Sequence, residues 1–139
     1  MKKHQSGVVL LEALLAILIL AIGLLGTIGL QARAYSALND AGMRTEAAIA
    51  AEKLLGVMSN DQANLAAYAS ALGTVPTDPQ LSTWYGDTAA AIPGAKVGIV
   101  VTPIASTTQT EIDITITWPS RQNKTTNQHV VTAYLAQAL

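Results

Sequence analysis

The sequence predicts an α+β fold: one long N-terminal helix, membrane-spanning in its first half, packed by its second half on a small antiparallel sheet of about three strands. Three observations predict it. Residues 13–30 are 18 consecutive positions without a charge, and no proline precedes Pro76. An apolar stripe runs through residues 43–57 at intervals of three and four, and residues 111–118 alternate polar with apolar.

Ala13 to Leu30 would rise about 27 Å as a helix, close to the roughly 30 Å hydrocarbon thickness of a bilayer, so a single span is expected over Val8 to Leu30. Lys2 and Lys3 precede it and place the leader in the cytoplasm and the bulk of the chain outside. Nothing forbids the helix from continuing to about Ser59, some 52 residues and about 78 Å. After the span, Met43, Ala47, Ala50, Leu54 and Val57 line one face, which predicts packing on a sheet. A free coiled coil is the competing reading, but alanine-rich seams bury little area. Gly23, Gly26 and Gly29 recur every third residue inside the span and are read either as close helix packing or as local helix weakness.

A short helix is expected between Asp61 and Gly73, with Leu65, Ala69 and Leu72 on one face. Thr74 to Ala95 holds Pro76, Pro79, Gly86, Pro93 and Gly94 and reads as a turn-rich connection whose Trp84 and Tyr85 either pack inward or present a surface. Strands are predicted over Lys96 to Thr102, Glu111 to Trp118 and His129 to Leu135. In the middle one, Ile112, Ile114, Ile116 and Trp118 form the apolar face that meets the helical stripe, while Glu111, Asp113, Thr115 and Thr117 face solvent. Short polar connections make the three an antiparallel meander.

Composition narrows the function. The chain has no cysteine, so disulfides and thiolate metal sites are excluded. Without Lys2 and Lys3, six basic side chains face nine acidic ones, a net charge near −3 that does not suit nucleic-acid binding. Arg121 and Lys124 read as an ordinary solvated turn. There is no H-E-x-x-H, no G-x-S-x-G and no phosphate-cradling glycine loop. His129 reads as a structural histidine and Glu111 with Asp113 as a solvated strand face, so no catalytic residue, metal or cofactor is expected.

Glu12, a lone carboxylate at the start of the apolar run, asks for a partner. A charge on a membrane helix costs on the order of 2.5–3.5 kcal/mol at mid-bilayer, less near the interface, so an acid kept there normally meets a cation. Gly7 closes the polar leader Met1-Lys2-Lys3-His4-Gln5-Ser6-Gly7. Cleavage after it would free an α-amino group on Val8, charged near neutral pH and at the depth of a neighbouring chain's Glu12. Val8 and Glu12 are also four residues apart, so a contact within one helix stays open. Two further readings use the same residues. A secretory signal would take Ala32-Arg33-Ala34 as its cleavage site, against an apolar region longer than the usual stretch of roughly 7–15 residues. A plain anchor would let Glu12 snorkel to the headgroups.

The run Gly7-Val8-Val9-Leu10-Leu11-Glu12, followed by Ala13-Leu14-Leu15-Ala16, resembles the class III signal and N-terminal helix of the type IV pilins, covering the first 35 to 60 residues. The continuation Ala21-Ile22-Gly23-Leu24-Leu25-Gly26, with Gly29-Leu30-Gln31-Ala32, is similar to the PilV group of minor pilins, the type IV pilus modification proteins. The resemblance implies a type IV pilin fold with a leader at 1–7, a transmembrane half-helix at 8–30, an amphipathic half at 31–59 and a periplasmic helix-sheet domain at 60–139. It implies that a prepilin peptidase cuts between Gly7 and Val8 and methylates the new N-terminus, and that Glu12 serves subunit assembly. Val8 departs from the family's usual Phe or Met, which bears on methylation efficiency. Many major pilins carry a proline near the position of Gly29, where the helix loosens in the filament, and Gly29 would permit similar extension. The function implied is that of a non-catalytic subunit, held in the inner membrane and then packed in the pilus or its tip, where it primes assembly. Its implied partners are other minor pilins, the major pilin, the inner-membrane assembly platform and a tip adhesin. A type II secretion minor pseudopilin shares these features. A membrane-tethered periplasmic binding protein, the alternative of another class, would need neither cleavage at Gly7 nor assembly through Glu12.

Overall fold

With no proline to stop it, the N-terminal segment is one helix, α1, over Ser6–Asn60. The computed structural model describes residues 6–105, 107–120 and 125–136, so Met1 to Gln5 and the turn expected around Arg121 and Lys124 lie outside the described residues. The chain forms two compact units, residues 1–38 and 39–139, with 55-residue α1 contributing to both.

The first unit is helix from Ser6 onward, and its large apolar side chains from Val8 to Leu30 are all 51–69% exposed. A helix apolar on every side finds no place in water, and this one is long and apolar enough to cross a membrane.

The second unit is α+β. After α1 come a 3-10 helix (Gln62–Tyr68), α2 (Pro79–Ala91), and strands β1 (Lys96–Pro103), β2 (Gln109–Pro119) and β3 (Thr126–Ala136), paired antiparallel in the order β1-β2-β3. Alternation on β2 sets the core: Ile112, Ile114 and Ile116 are fully buried and Trp118 nearly so. Ala47, Ala50, Ala51, Leu54 and Met58 of α1 join them in one hydrophobic cluster, and Met43 packs partly buried against it. Burial of each large aliphatic side chain is worth about 1.5–3 kcal/mol. The small residues Ala47, Ala50 and Ala51 are all buried in this contact. Val57 departs from the expected stripe: it is 43% exposed, and Met58 is buried instead. Strict intervals of three and four drift against the 3.6-residue turn, and from Leu54 a step of four keeps the side chain on the core face.

Two segments differ from expectation. The residues after Asn60 form a 3-10 helix, so Leu65 and Tyr68, three apart, are buried, while Ala69 and Leu72 are exposed. Ala69 already has extended backbone, and Ser70 bridges to Ile99 on the outer side of β1. Gly98 makes room for this strap, because a Cβ there would meet the Leu72 backbone at 3.1 Å. The second difference is α2, which replaces most of the expected turn-rich connection. Asp78 accepts bonds from the backbone N–H of Gln80 (2.9 Å) and Leu81 (3.1 Å), and Pro79 occupies the first turn, where its missing N–H costs nothing.

Candidate functional site

The residues singled out in sequence fall into two groups. Gly7, Val8 and Glu12 lie in the first unit, all exposed, with open space around Gly7. Val8 and Glu12, four apart, share one face of the helix. Gly23, Gly26 and Gly29 likewise have nothing within 4 Å of the position a Cβ would take, so no other described residue packs on them. Thr27 returns its hydroxyl to the Leu24 carbonyl at 2.8 Å, so the segment's one hydroxyl is satisfied within the helix. What the first unit offers is a helical apolar surface interrupted by a single carboxylate near its start.

The second group is in the helix-sheet domain, where Ala47, Ala50, Leu54, Ile112, Ile114, Ile116 and Trp118 are buried together. Arg44 stands with its guanidinium carbon 6.0 Å from the Trp118 ring centroid, a cation–π distance. Trp84 donates its indole N–H to the Ala50 carbonyl at 2.9 Å and so ties α2 to α1. The indole is half-buried, as is Tyr85 beside it.

The main concavities of this domain adjoin one another along α2. One groove, about 520 Å³, is lined by Leu54, Val57, Leu81 and Trp84 among others, and is largely apolar. The neighbouring hollow, about 390 Å³, shares Tyr68, Pro79, Gln80 and Leu81 with it and adds Asp61 and Asp78. Tyr68 donates its hydroxyl to Asp61 Oδ2 at 3.0 Å. Burial raises the phenol's pKa above its usual value, and the bond to Asp61 and the charges of Asp61 and Asp78 raise it further. Both carboxylates already serve the fold: Asp61 also accepts from Asn64 Nδ2, and Asp78 caps α2. Among the described residues no three His, Cys, Asp or Glu side chains are grouped to hold a metal ion.

Across the sheet's outer face, Asp113 accepts from the Thr132 hydroxyl, and Glu111 sits opposite Tyr134. The charge of Glu111 and its hydrogen bond raise the Tyr134 pKa, with slight burial and Asp113 adding to the rise. His129 is half-buried opposite Ile116, on the core side of the sheet. Sequence reading missed Met58, Tyr68 and Asp78. For Asp78 the signal was present, an aspartate directly before a proline at a helix start. In comparisons with known proteins, no family model, curated protein or solved structure matches the chain.

Proposed function

We propose that the chain is a minor pilin of a type IV pilus, of the PilV kind, processed between Gly7 and Val8 and packed into a filament or its tip complex through its N-terminal helix. The observation that carries the reading is the first unit itself: a helix with every large apolar side chain from Val8 to Leu30 exposed and Glu12 alone among them. Such a surface suits lipid first and the helices of other subunits afterwards. In either setting Glu12 is stabilised by a cation at its depth, and a freed Val8 amine on a neighbour supplies one. The helix-sheet domain acts by binding. Its partners in this proposal are other minor pilins, the major pilin, the inner-membrane assembly platform and a tip adhesin, with the prepilin peptidase as processing enzyme.

Substitution of Glu12 by Gln or Ala tests the reading. Membrane insertion and accumulation are retained, because removing a charge from a span favours insertion. Incorporation into sheared pili is lost. Full incorporation of both variants would refute pairing through Glu12. Scoring surface pili against type II export in a deletion strain separates a pilin from a pseudopilin.

A further inference from the structure

We propose that the outer edge of β3 is a docking site for an extended strand donated by a different protein, which joins the sheet as a fourth strand. Backbone bonding decides which groups are on offer. Ile99 exchanges two bonds with Ser70, its N–H donating at 2.8 Å and its carbonyl accepting at 2.9 Å, so its groups face away from β2. Ile114, opposite Ile99, therefore turns its own N–H and C=O toward β3, and Val131 answers it. Alternation carries the pattern along the strand. The odd-numbered residues from Asn127 to Leu135 bond β2, while Gln128, Val130, Thr132 and Tyr134 turn N–H and C=O outward. No described residue bonds these outward groups.

The two edges of the sheet are treated differently. On β1, Ser70 and Gly73 bond to Ile99 and Val97, and the strand ends on Pro103. On β3, Thr126 to Ala136 contains no proline, glycine, aspartate, glutamate, lysine or arginine, and its register with β2 is unbroken by any bulge. Proteins commonly blunt a free edge with such devices, and a long uncharged edge without them is a template for another strand.

The edge also describes its donor. His129, Val131, Ala133 and Leu135 are half-buried on the helix side, so the donor carries aliphatic residues at alternate positions there. The opposite face of β3 is uncharged, which suits polar neutral residues between them. A second copy fits less well. Antiparallel pairing of β3 with itself requires a two-fold axis normal to the sheet, so residues 39–60 of the two copies would enter their sheets from opposite ends. Two chains held in one bilayer do not meet that condition. The choice of donor rests on the membrane reading; the open edge does not.

Photo-crosslinking of the full chain in the cells that make it tests the proposal, with benzoylphenylalanine at Gln128 or Thr132, alone or combined with Val130→Pro. That proline deletes an outward N–H and leaves the bonds to β2 in place. Val130→Lys is the second variant, should the proline impair folding. The expected result is one adduct with a different protein from both positions, reduced about tenfold by either Val130 substitution at unchanged chain level. In purified full chain in detergent, the Val130 and Thr132 amides should exchange at least about tenfold faster than those of His129 and Val131. A synthetic peptide of Thr126–Ala136, offered as a free strand, should slow them to the bonded rate. An adduct of two copies of the chain would overturn the choice of donor. No adduct, an adduct indifferent to both substitutions, or slow outward amides in the free chain would overturn the docking site. Both readouts are independent of processing at Gly7 and of Glu12.

Discussion

At the scale of single residues, the side chains that matter are those whose environment differs most from water. Tyr68 is 6% exposed, with its hydroxyl on Asp61. Because folding raises its pKa, the folded state keeps the phenolic proton to higher pH than the unfolded chain does. That contribution to stability is whole below the ordinary phenol value of about 10 and is lost as pH rises through the folded one. Wild-type unfolding midpoints should therefore fall above about pH 10 more steeply than those of Tyr68→Phe. At neutral pH the same variant loses about 0.5–1.5 kcal/mol with the hydrogen bond, measurable by denaturant unfolding. Asp78→Ala should cost about 0.5–2 kcal/mol by removing the cap of α2, while Asp78→Asn restores most of it.

At the scale of elements, packing follows from which face each one turns inward. Ala47 is fully buried, so Ala47→Leu overpacks the helix-sheet contact and should cost about 1–3 kcal/mol. Ile114→Ala should cost about 2–5 kcal/mol, whereas Val57→Ala, at a 43% exposed position, should cost under about 1 kcal/mol in the same unfolding assay. β2 was the most legible element, since a period of two over Ile112, Ile114, Ile116 and Trp118 has one physical meaning. The helical stripe was legible from Met43 to Leu54 and failed at Val57, where intervals of three and four no longer distinguish it from Met58. The 3-10 helix was not legible as such, because Leu65 with Ala69 fits a four-residue turn and Leu65 with Tyr68 a three-residue one. The bridge from Ser70 to Ile99, made on the outer edge of β1, decides between them. α2 was hidden by Pro79 and Gly86, which read as breakers; Pro79 instead opens the helix, and exposed Gly86 is carried along in it. Gly98 shows the same limit, since the tight space above it is set by Leu72, whose Cα and Cβ would lie 3.1 Å from an added Cβ. Gly98→Ala should displace the strap and speed amide exchange at Ser70 and Gly73 by at least about tenfold, seen by NMR.

At the scale of the whole molecule, two units with opposite surfaces share one helix. The first keeps its apolar side chains outside, and the second buries a compact cluster beneath a sheet. The proposed function rests on a short motif, Gly7-Val8 with Glu12 four residues after Val8, and in that proposal processing would remove residues 1–7. The helix-sheet domain identifies no ligand in sequence; the open edge of β3 appears only once strand order and bonding parity are known. Processing is the central claim, since without a freed amine Glu12 has no partner of the proposed kind. Intact-mass and N-terminal peptide mass spectrometry of the protein recovered from its own membranes tests it most directly. The expected chain begins at Val8 and carries an N-methyl group; a chain still beginning at Met1, or one beginning at Tyr35, would refute processing after Gly7.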